Sequence, residues 1–199
     1  MPTGKGVPAV IVAGGLARRM GGGDKLLLRL GAGTVLDAIL DRLGEAHPVA
    51  INAGGDTRRF APLPVLPDPL LPGVEERPGP LAGLLAATDW ARSLGAPMVL
   101  TVPGDAPFLP RDLLARLLAA GAPAVAASGG RLHPIVGLWP ATAGVRLREI
   151  LTAGNRRVAE AARLLGAVAV DFSAAGGEPD PFANINTPDD LAAAGTWVD

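Results

Sequence analysis

The chain has no cysteine among its 199 residues. Disulfide bonds, thiolate metal sites and cysteine nucleophiles are therefore excluded, and the redox compartment cannot be read from this residue type. A long apolar run is missing as well: residues 7–15 are too few to span a membrane, and they include the glycines of a turn rather than the core of a signal peptide. We therefore expect a cytoplasmic protein without a membrane partner.

The sequence also lacks an excess of charge of either sign. Its 18 basic and 19 acidic side chains leave a formal net charge of -1, so no overall field attracts nucleic acid or an anionic surface. A polyanionic substrate would have to be held by locally placed cations. No nucleic-acid partner is expected, and the tryptophans, which are not interleaved with a basic patch, are expected to serve packing.

Hydrophobic residues make up 49% of the chain, enough for one substantial core in a single domain at 1–199. Apolar strand-like runs alternate with stretches of helical periodicity. This alternation predicts an α/β fold with a mostly parallel sheet between helices, a Rossmann-like three-layer sandwich. Strands are predicted at 7–13, 48–53, 64–66, 97–102, 124–127, 132–139 and 167–172, and helices at 35–43, 81–94, 111–120, 145–151, 157–165 and after 187.

Local signals define two helix starts and one turn. Thr34 precedes an apolar helical stripe with Asp37 in its first turn, and Thr187 precedes a proline and two acids. Gly129 and Gly130 follow Ser128 between two strand-like runs, as in a hairpin. Some antiparallel pairing is therefore expected in the second half of the sheet.

Ligands of open parallel α/β sheets bind beyond the carboxyl ends of the strands. The first predicted strand leads into the segment 13–25, which contains five glycines together with Arg18, Arg19 and Lys25. Glycines let backbone amides approach phosphate oxygens, and the cations can neutralise a leaving pyrophosphate. The segment matches neither GxxxxGK[ST] nor GxGxxG. A triphosphate loop is predicted, with a basic surface loop as the alternative.

Three polar residues follow later predicted strands: Asn52, Asp68 and Asp105. Asp105 comes after an apolar run, where a carboxylate is costly unless it caps a helix, forms a pair or binds a cation. Such a carboxylate can hold Mg²⁺ when substrate phosphates supply the other oxygens. An acid at the start of the helix predicted at 111–120, or a turn residue, remains open for Asp105, and Asp68 presents the same choice.

The blocks Ala13-Gly14-Gly15, Arg19-Met20-Gly21-Gly22 and Asp24-Lys25 resemble those of the molybdenum cofactor guanylyltransferases, within the glycosyltransferase-A-like nucleotidyltransferases. The resemblance continues in the same order over nearly the whole chain. Its later blocks are Pro78-Gly79-Pro80-Leu81-Ala82-Gly83, Gly104-Asp105, Pro107-Phe108, His133-Pro134, Asn155-Arg156-Arg157-Val158, Asp171-Phe172-Ser173 and 182–188. Many nucleotidyltransferases share the first blocks, whereas the later ones make the resemblance more specific. Val12 departs from the usual leucine without removing a functional group.

The resemblance implies a glycosyltransferase-A-like fold and transfer of GMP from GTP to the terminal phosphate of molybdopterin, with Mg²⁺ as cofactor. The nucleotide-type features all lie before Phe108, and the hairpin after Pro123 and the later family-like blocks carry groups suited to a phosphate and a polar pterin. We therefore expect a nucleotide-binding half at about 7–108 and an acceptor half at about 109–199, with separate pockets. Other cofactor-biosynthesis proteins or recipient molybdoenzymes are the implied protein partners. The implied nucleotide-binding residues are Val12, Ala13, Gly14, Gly15, Lys25, Asn52, Asp68 and Asp105. The implied catalytic residues are Lys25, Asp105 and Arg19, and Asp105 is also the implied metal ligand. The implied acceptor-binding residues are Arg156, Arg157, Asn184 and Asn186.

Several alternatives stay open. The same groups would serve a molybdopterin cytidylyltransferase or a sugar-phosphate nucleotidyltransferase. A non-catalytic cofactor-binding protein could keep the fold, although Lys25 and Asp105 argue against it, and a dinucleotide-dependent oxidoreductase is disfavoured by the missing GxGxxG. A lone histidine such as His133 is more often structural than catalytic, and Arg156 and Arg157 could simply begin a solvated helix.

Overall fold

A computed structural model of the chain describes residues 6–13, 24–55, 57–73, 79–173 and 180–195. Within these ranges it has nine strands and six α-helices, besides short 3-10 helices at Lys25–Leu27 and Thr57–Phe60. The strands are β1 (Ala9–Val12), β2 (Arg29–Leu30), β3 (Gly33–Thr34), β4 (Val49–Asn52), β5 (Val65–Leu66), β6 (Met98–Pro103), β7 (Ala124–Ser128), β8 (Arg131–Pro140) and β9 (Val168–Asp171). The helices are α1 (Val35–Leu43), α2 (Pro80–Ser93), α3 (Leu113–Ala120), α4 (Ala143–Thr152), α5 (Val158–Leu164) and α6 (Pro188–Gly195).

The described strands form a seven-stranded sheet in the order β5-β4-β1-β6-β8-β7-β9, and β2 and β3 form a separate two-stranded ribbon. The pairs β5/β4, β4/β1, β1/β6 and β7/β9 are parallel, whereas β8 is antiparallel to both β6 and β7. The prediction of a mostly parallel sheet with antiparallel pairing in the second half is confirmed. The β2–β3 ribbon was not predicted, since two-residue strands leave no period to read.

Helices cover both faces of the sheet, which confirms the three-layer arrangement. Alternate residues of β1 point to opposite sides: Ile11 belongs to the core cluster that includes α1 and α3, and Val10 to the cluster that includes α2, α4 and α5. Both side chains have no exposed surface. A strand buried on both faces needs a continuous apolar run, which is the pattern seen around β1 in the sequence.

The predicted helix caps and hairpin are present. The Thr34 hydroxyl accepts a hydrogen bond from the Asp37 amide, and the Asp37 carboxylate accepts one from the Thr34 amide, so the two close a capping box at α1. The helix expected from Arg111 begins at Leu113 instead. Gly129 and Gly130 connect β7 to β8 with φ of 53° and 76°, values that favour glycine in a two-residue hairpin turn.

One edge of the sheet collects the loops that matter for function. Since β1, β4 and β6 are parallel, their carboxyl ends lie at the same edge. β7 and β9 run in the same direction, so Ser128 and Asp171 end there too, and β8 begins there at Arg131. Among the described residues, no helix is long and apolar enough to cross a membrane.

Candidate functional site

The loops after β1, β4 and β6 are fastened to one another where the strands end. The Ala13 amide donates to the Asn52 carbonyl at 2.9 Å, and the Gly104 amide donates to the Val12 carbonyl at 3.1 Å. A Cβ on Gly104 would lie 3.3 Å from Leu26 and 3.4 Å from the Ala13 backbone. Glycine at position 104 therefore lets three loops approach closely and brings Asp105 to this edge.

Asp105 and Lys25 form an ion pair at the centre of the edge. The Lys25 Nζ lies 3.6 Å from the Asp105 Oδ2, and both side chains are mostly buried, with 20% and 25% of their surface exposed. Burial raises the pKa of the Asp105 carboxyl from its ordinary value, and the nearby Lys25 ammonium offsets part of that rise. A partly desolvated carboxylate next to one ammonium is suited to exchange partners with a bound cation. The alternative role as a helix cap is wrong, because α3 starts only at Leu113.

Arg59, which the sequence did not single out, contacts the residue before Lys25. Asp24 caps the 3-10 helix at Lys25–Leu27 by accepting from the Leu26 amide at 3.1 Å. Arg59 donates to Asp24 Oδ2 from Nε at 3.0 Å and from Nη2 at 2.9 Å, and it also reaches the Gly54 carbonyl at 3.1 Å. Arg59 thus ties the loop after β4 to the start of the lysine segment. The sequence signal for Arg59 was a pair of basic residues at 58–59.

Asn52 and Asp68 lie together beside β4 and β5. The Asn52 Nδ2 donates to Asp68 Oδ1 and to the Leu66 carbonyl, both at 3.0 Å. α2 presses against Asn52 at Gly83, where an added Cβ would lie 2.4 Å from Asn52 Oδ1 and 2.8 Å from Val12 Cγ1. A side chain at position 83 would therefore displace Asn52 and Val12, two of the predicted nucleotide-binding residues. Close packing of α2 against β1 and β4 explains why this position is glycine.

A segment from the far end of the chain crosses this edge, and we call residues 180–187 the strap. The Ile185 amide donates to the Asp105 carbonyl at 2.8 Å, and Lys25 Nζ donates to Asn186 Oδ1 at 2.8 Å. The strap runs into α6, whose Asp190 carboxylate accepts from the Asn186 and Thr187 amides. Asn186, predicted to bind the acceptor, therefore lies in contact with Lys25, predicted to bind the nucleotide.

The other predicted acceptor residues are Arg156, Arg157 and Asn184. Arg156 and Arg157 come between α4 and α5, and α5 packs on α2 and β8 and leads back into β9. Arg157 is exposed and Arg156 is half-buried, and the Arg157 amide is fixed by Asn155 Oδ1 at 3.0 Å. Asn184 is exposed on the strap.

Three predicted site residues, Gly14, Gly15 and Arg19, lie outside the described part of the chain. Val12 and Ala13 lie inside it, at the end of β1. Val12 is 4% exposed, so a ligand at this edge could contact its backbone but not its side chain.

The chemistry of the described residues fits a divalent ion that substrate phosphates also bind. No group of three or more histidine, aspartate or glutamate side chains in the described ranges could enclose a metal. Asp105 offers a single carboxylate at the edge, and Mg²⁺ is commonly held by one or two carboxylates together with substrate phosphates and waters. The residues present therefore fit a metal that arrives with a triphosphate.

Comparison with known proteins identifies a family. The family model of the MobA-like NTP transferase domain matches residues 9–168, a range that includes Lys25, Asp105 and the sheet up to the start of β9. The strap and α6 lie beyond the matched range.

Two curated relatives are similar over nearly their whole length, and both are named molybdenum cofactor guanylyltransferase. The protein from Mesorhizobium japonicum is 48% identical, with 94% of this chain and 94% of the relative covered. The protein from Acidiphilium cryptum is 49% identical, with 97% and 96% covered. The solved structure of molybdopterin-guanine dinucleotide biosynthesis protein A from Archaeoglobus fulgidus superposes with a TM-score of 0.72 at 21% identity, covering 96% of this chain and 98% of that one.

Proposed function

The chain belongs to the MobA-like NTP transferase family, and from that premise we propose that it transfers GMP from GTP to the terminal phosphate of molybdopterin. The products are molybdopterin guanine dinucleotide and pyrophosphate. The observation that carries the proposal is the convergence of Lys25, Asp105 and Asn186 at one sheet edge. This is where an open parallel sheet binds its ligand, and the relatives' name supplies the substrates.

In the proposed reaction, an oxygen of the acceptor phosphate attacks the α-phosphorus of GTP. The new P–O bond forms as the bond to the bridging oxygen of the β-phosphate breaks, and that electron pair leaves with pyrophosphate. The acceptor phosphate is already an anionic nucleophile, so no protein nucleophile or strong base is required. Catalysis then consists of alignment and charge neutralisation.

The nucleotide is proposed to lie across the ends of β1, β4 and β6. Its backbone contacts are Val12, Ala13, Gly14 and Gly15, and Asn52 and Asp68 face the guanosine. Lys25 binds the phosphates, with Arg19 as a second cation. Since Lys25 already has Asp105 and Asn186 as partners, the incoming triphosphate replaces existing polar contacts rather than desolvating a free ammonium.

We propose Mg²⁺ as the metal, held by Asp105 together with the triphosphate oxygens. When bound, the ion would neutralise charge that builds on the phosphates during transfer. The Asp105 backbone carbonyl accepts a hydrogen bond from the Ile185 amide of the strap. Its carboxylate lies beside the Lys25 ammonium.

The acceptor is proposed to lie over the second half of the edge, contacted by Arg156, Arg157, Asn184 and Asn186. Guanidinium groups suit bidentate contacts with a phosphate, and the amides suit a polar pterin. We place the reaction in the cytoplasm, with other cofactor-biosynthesis proteins or recipient molybdoenzymes as partners. Neither nucleic acid nor a membrane has a role in it.

The proposal is tested by offering the purified protein each nucleoside triphosphate with Mg²⁺ and molybdopterin, and measuring both thermal protection and pyrophosphate release. GTP is expected to raise the unfolding temperature, because a specific ligand stabilises the folded state by mass action, and to give the dinucleotide product. Preference for CTP or for a sugar phosphate would favour a related nucleotidyltransferase. Nucleotide binding without pyrophosphate release for any acceptor would favour a non-catalytic cofactor-binding protein.

Replacing Arg156 and Arg157 together by alanine should raise the KM for molybdopterin, because the acceptor phosphate loses its guanidinium partners. GTP binding, measured by calorimetry, should change by less than about 0.5 kcal/mol, the range of distant surface substitutions. Replacing the exposed Arg146, which pairs with Glu149 on α4, is the matched control. Loss of GTP binding with an unchanged molybdopterin KM would instead place the two arginines on the triphosphate.

A further inference from the structure

The strap is fastened at its start by three polar side chains that the proposed reaction does not use. Ser128, at the end of β7, donates its hydroxyl hydrogen to Asp180 Oδ1 at 2.8 Å, and its oxygen lies 2.7 Å from His133 Nε2. A hydroxyl has one hydrogen. Because Asp180 takes it, the contact with His133 requires a hydrogen on Nε2, so the order of donation is His133 to Ser128 to Asp180. We call these three residues the anchor.

Aromatic packing closes around the anchor. The His133 ring centroid lies 4.7 Å from that of Phe182, and Phe182 meets Phe172 edge-on at 5.7 Å. Phe182 is 3% exposed. Burial lowers the pKa of His133 and the Arg131 guanidinium adds to this, while the Asp180 carboxylate partly offsets it. The anchor is thus a hydrogen-bonded group set against a small aromatic cluster.

The path from the anchor to the reacting groups is short and hydrogen-bonded along its length. Asp180 Oδ1 also accepts from the Phe182 amide at 3.0 Å, and the Asp180 carbonyl accepts from the Ala183 amide at 2.9 Å. Two residues further on, Ile185 bonds to Asp105, and Asn186 bonds to Lys25. Asn186 lies six positions after Asp180, and the Phe182 and Ala183 amides are both bonded to Asp180, so we expect a shift of Asp180 to be transmitted to the strap.

We propose that Ser128, His133 and Asp180 are positioning residues for the acceptor side of the site. They fix the strap so that Asn184 and Asn186 stand at a set distance from Lys25 and Asp105. The proposal rests on the proposed function, because it assigns the strap to the acceptor. It follows that breaking the anchor misplaces the acceptor while the nucleotide keeps its contacts on β1, β4 and β6.

Matched substitutions separate geometry from bulk and charge. His133→Gln keeps an N–H donor near Nε2, and Asp180→Asn keeps the Oδ1 acceptor without the charge. His133→Leu, Asp180→Ala and Ser128→Ala each remove the hydrogen-bonding group. His133→Leu, Asp180→Ala and Ser128→Ala should each raise the molybdopterin KM about tenfold, with less than threefold change in GTP affinity. His133→Gln and Asp180→Asn should have a molybdopterin KM close to that of the wild type. Ser93→Ala, which removes a serine hydroxyl bond on α2, should match the wild type.

Hydrogen exchange of the strap supplies a readout that does not depend on activity. The Phe182, Ile185 and Asn186 amides donate within the strap, to Asp105 or to Asp190, so they should exchange at least tenfold faster in Ser128→Ala than in Ser93→Ala. The proposal would be overturned if the exchange rates in Ser128→Ala were unchanged. It would also be overturned if His133→Leu and His133→Gln raised the molybdopterin KM equally. If the wild type shows no transfer with any acceptor, the proposed function fails, while the exchange comparison still decides whether the anchor holds the strap.

Discussion

An Asp105→Ala protein is expected to fold normally and to lose turnover by a factor on the order of 10³ or more, because several kcal/mol of metal-mediated charge stabilisation disappear from the transition state. Folding should survive because the carboxylate is partly desolvated, which costs free energy, and its described partner is the Lys25 ammonium. The contact that this residue makes with the strap uses its backbone carbonyl, which alanine keeps.

Steady-state transfer across a range of Mg²⁺ concentrations, with circular dichroism as the folding check, measures this effect. Asp105→Asn preserves shape and removes the charge, so it should be nearly as inactive as the alanine variant. Asp41→Ala removes a carboxylate from an exposed pair with Arg111 and serves as the matched control. Near wild-type transfer by Asp105→Ala at every Mg²⁺ concentration would show that the metal is held elsewhere.

The parts of the fold that could be predicted from sequence are those determined by neighbouring residues. The cap at Thr34 needs only Asp37 three positions away, and the turn at Gly129 needs only two glycines in sequence. Buried parallel strands are marked by continuous apolar runs. Residues placed directly after such strands must lie at one edge, which is why the sequence pattern is enough to select Asn52 and Asp105.

The contacts that organise the edge could not be predicted, because their partners are far apart in the chain. The Lys25–Asn186 hydrogen bond joins residues 161 positions apart, and Ser128 meets Asp180 across 52 positions. No periodicity or spacing rule links such positions. The division of the chain into two halves was predicted from the order of the motifs, and that order carries no information on the contact between the strap and Lys25. His133 was expected to be a hydrogen-bonded structural residue, and its contact with Ser128 is of that kind.

Lys25→Ala is expected to weaken GTP binding and to slow transfer by a factor on the order of 10², since one preorganised cation is lost from a phosphoryl-transfer site. Lys25→Arg should recover only part of the rate, because the guanidinium is larger and flatter than the ammonium. Calorimetry with GTP and single-turnover transfer measure the two effects separately. If Lys25→Ala were as active as the wild type, the assignment of Lys25 to the active site would be wrong.

The contact from Arg59 to Asp24 gives the lysine assignment a second, independent test. Arg59→Ala removes the hydrogen bonds to Asp24 Oδ2, but the Leu26 amide still donates to Asp24 Oδ1. The rate of transfer should therefore fall only several-fold. If Arg59 acts by placing Lys25, its removal should cost nothing further once Lys25 is alanine, because residues that act as a unit are not additive. The double variant should therefore transfer GMP at the rate of Lys25→Ala alone. A full additional loss in the double variant would mean that Arg59 contributes to the reaction by a route of its own, and that the ammonium is not held through Asp24.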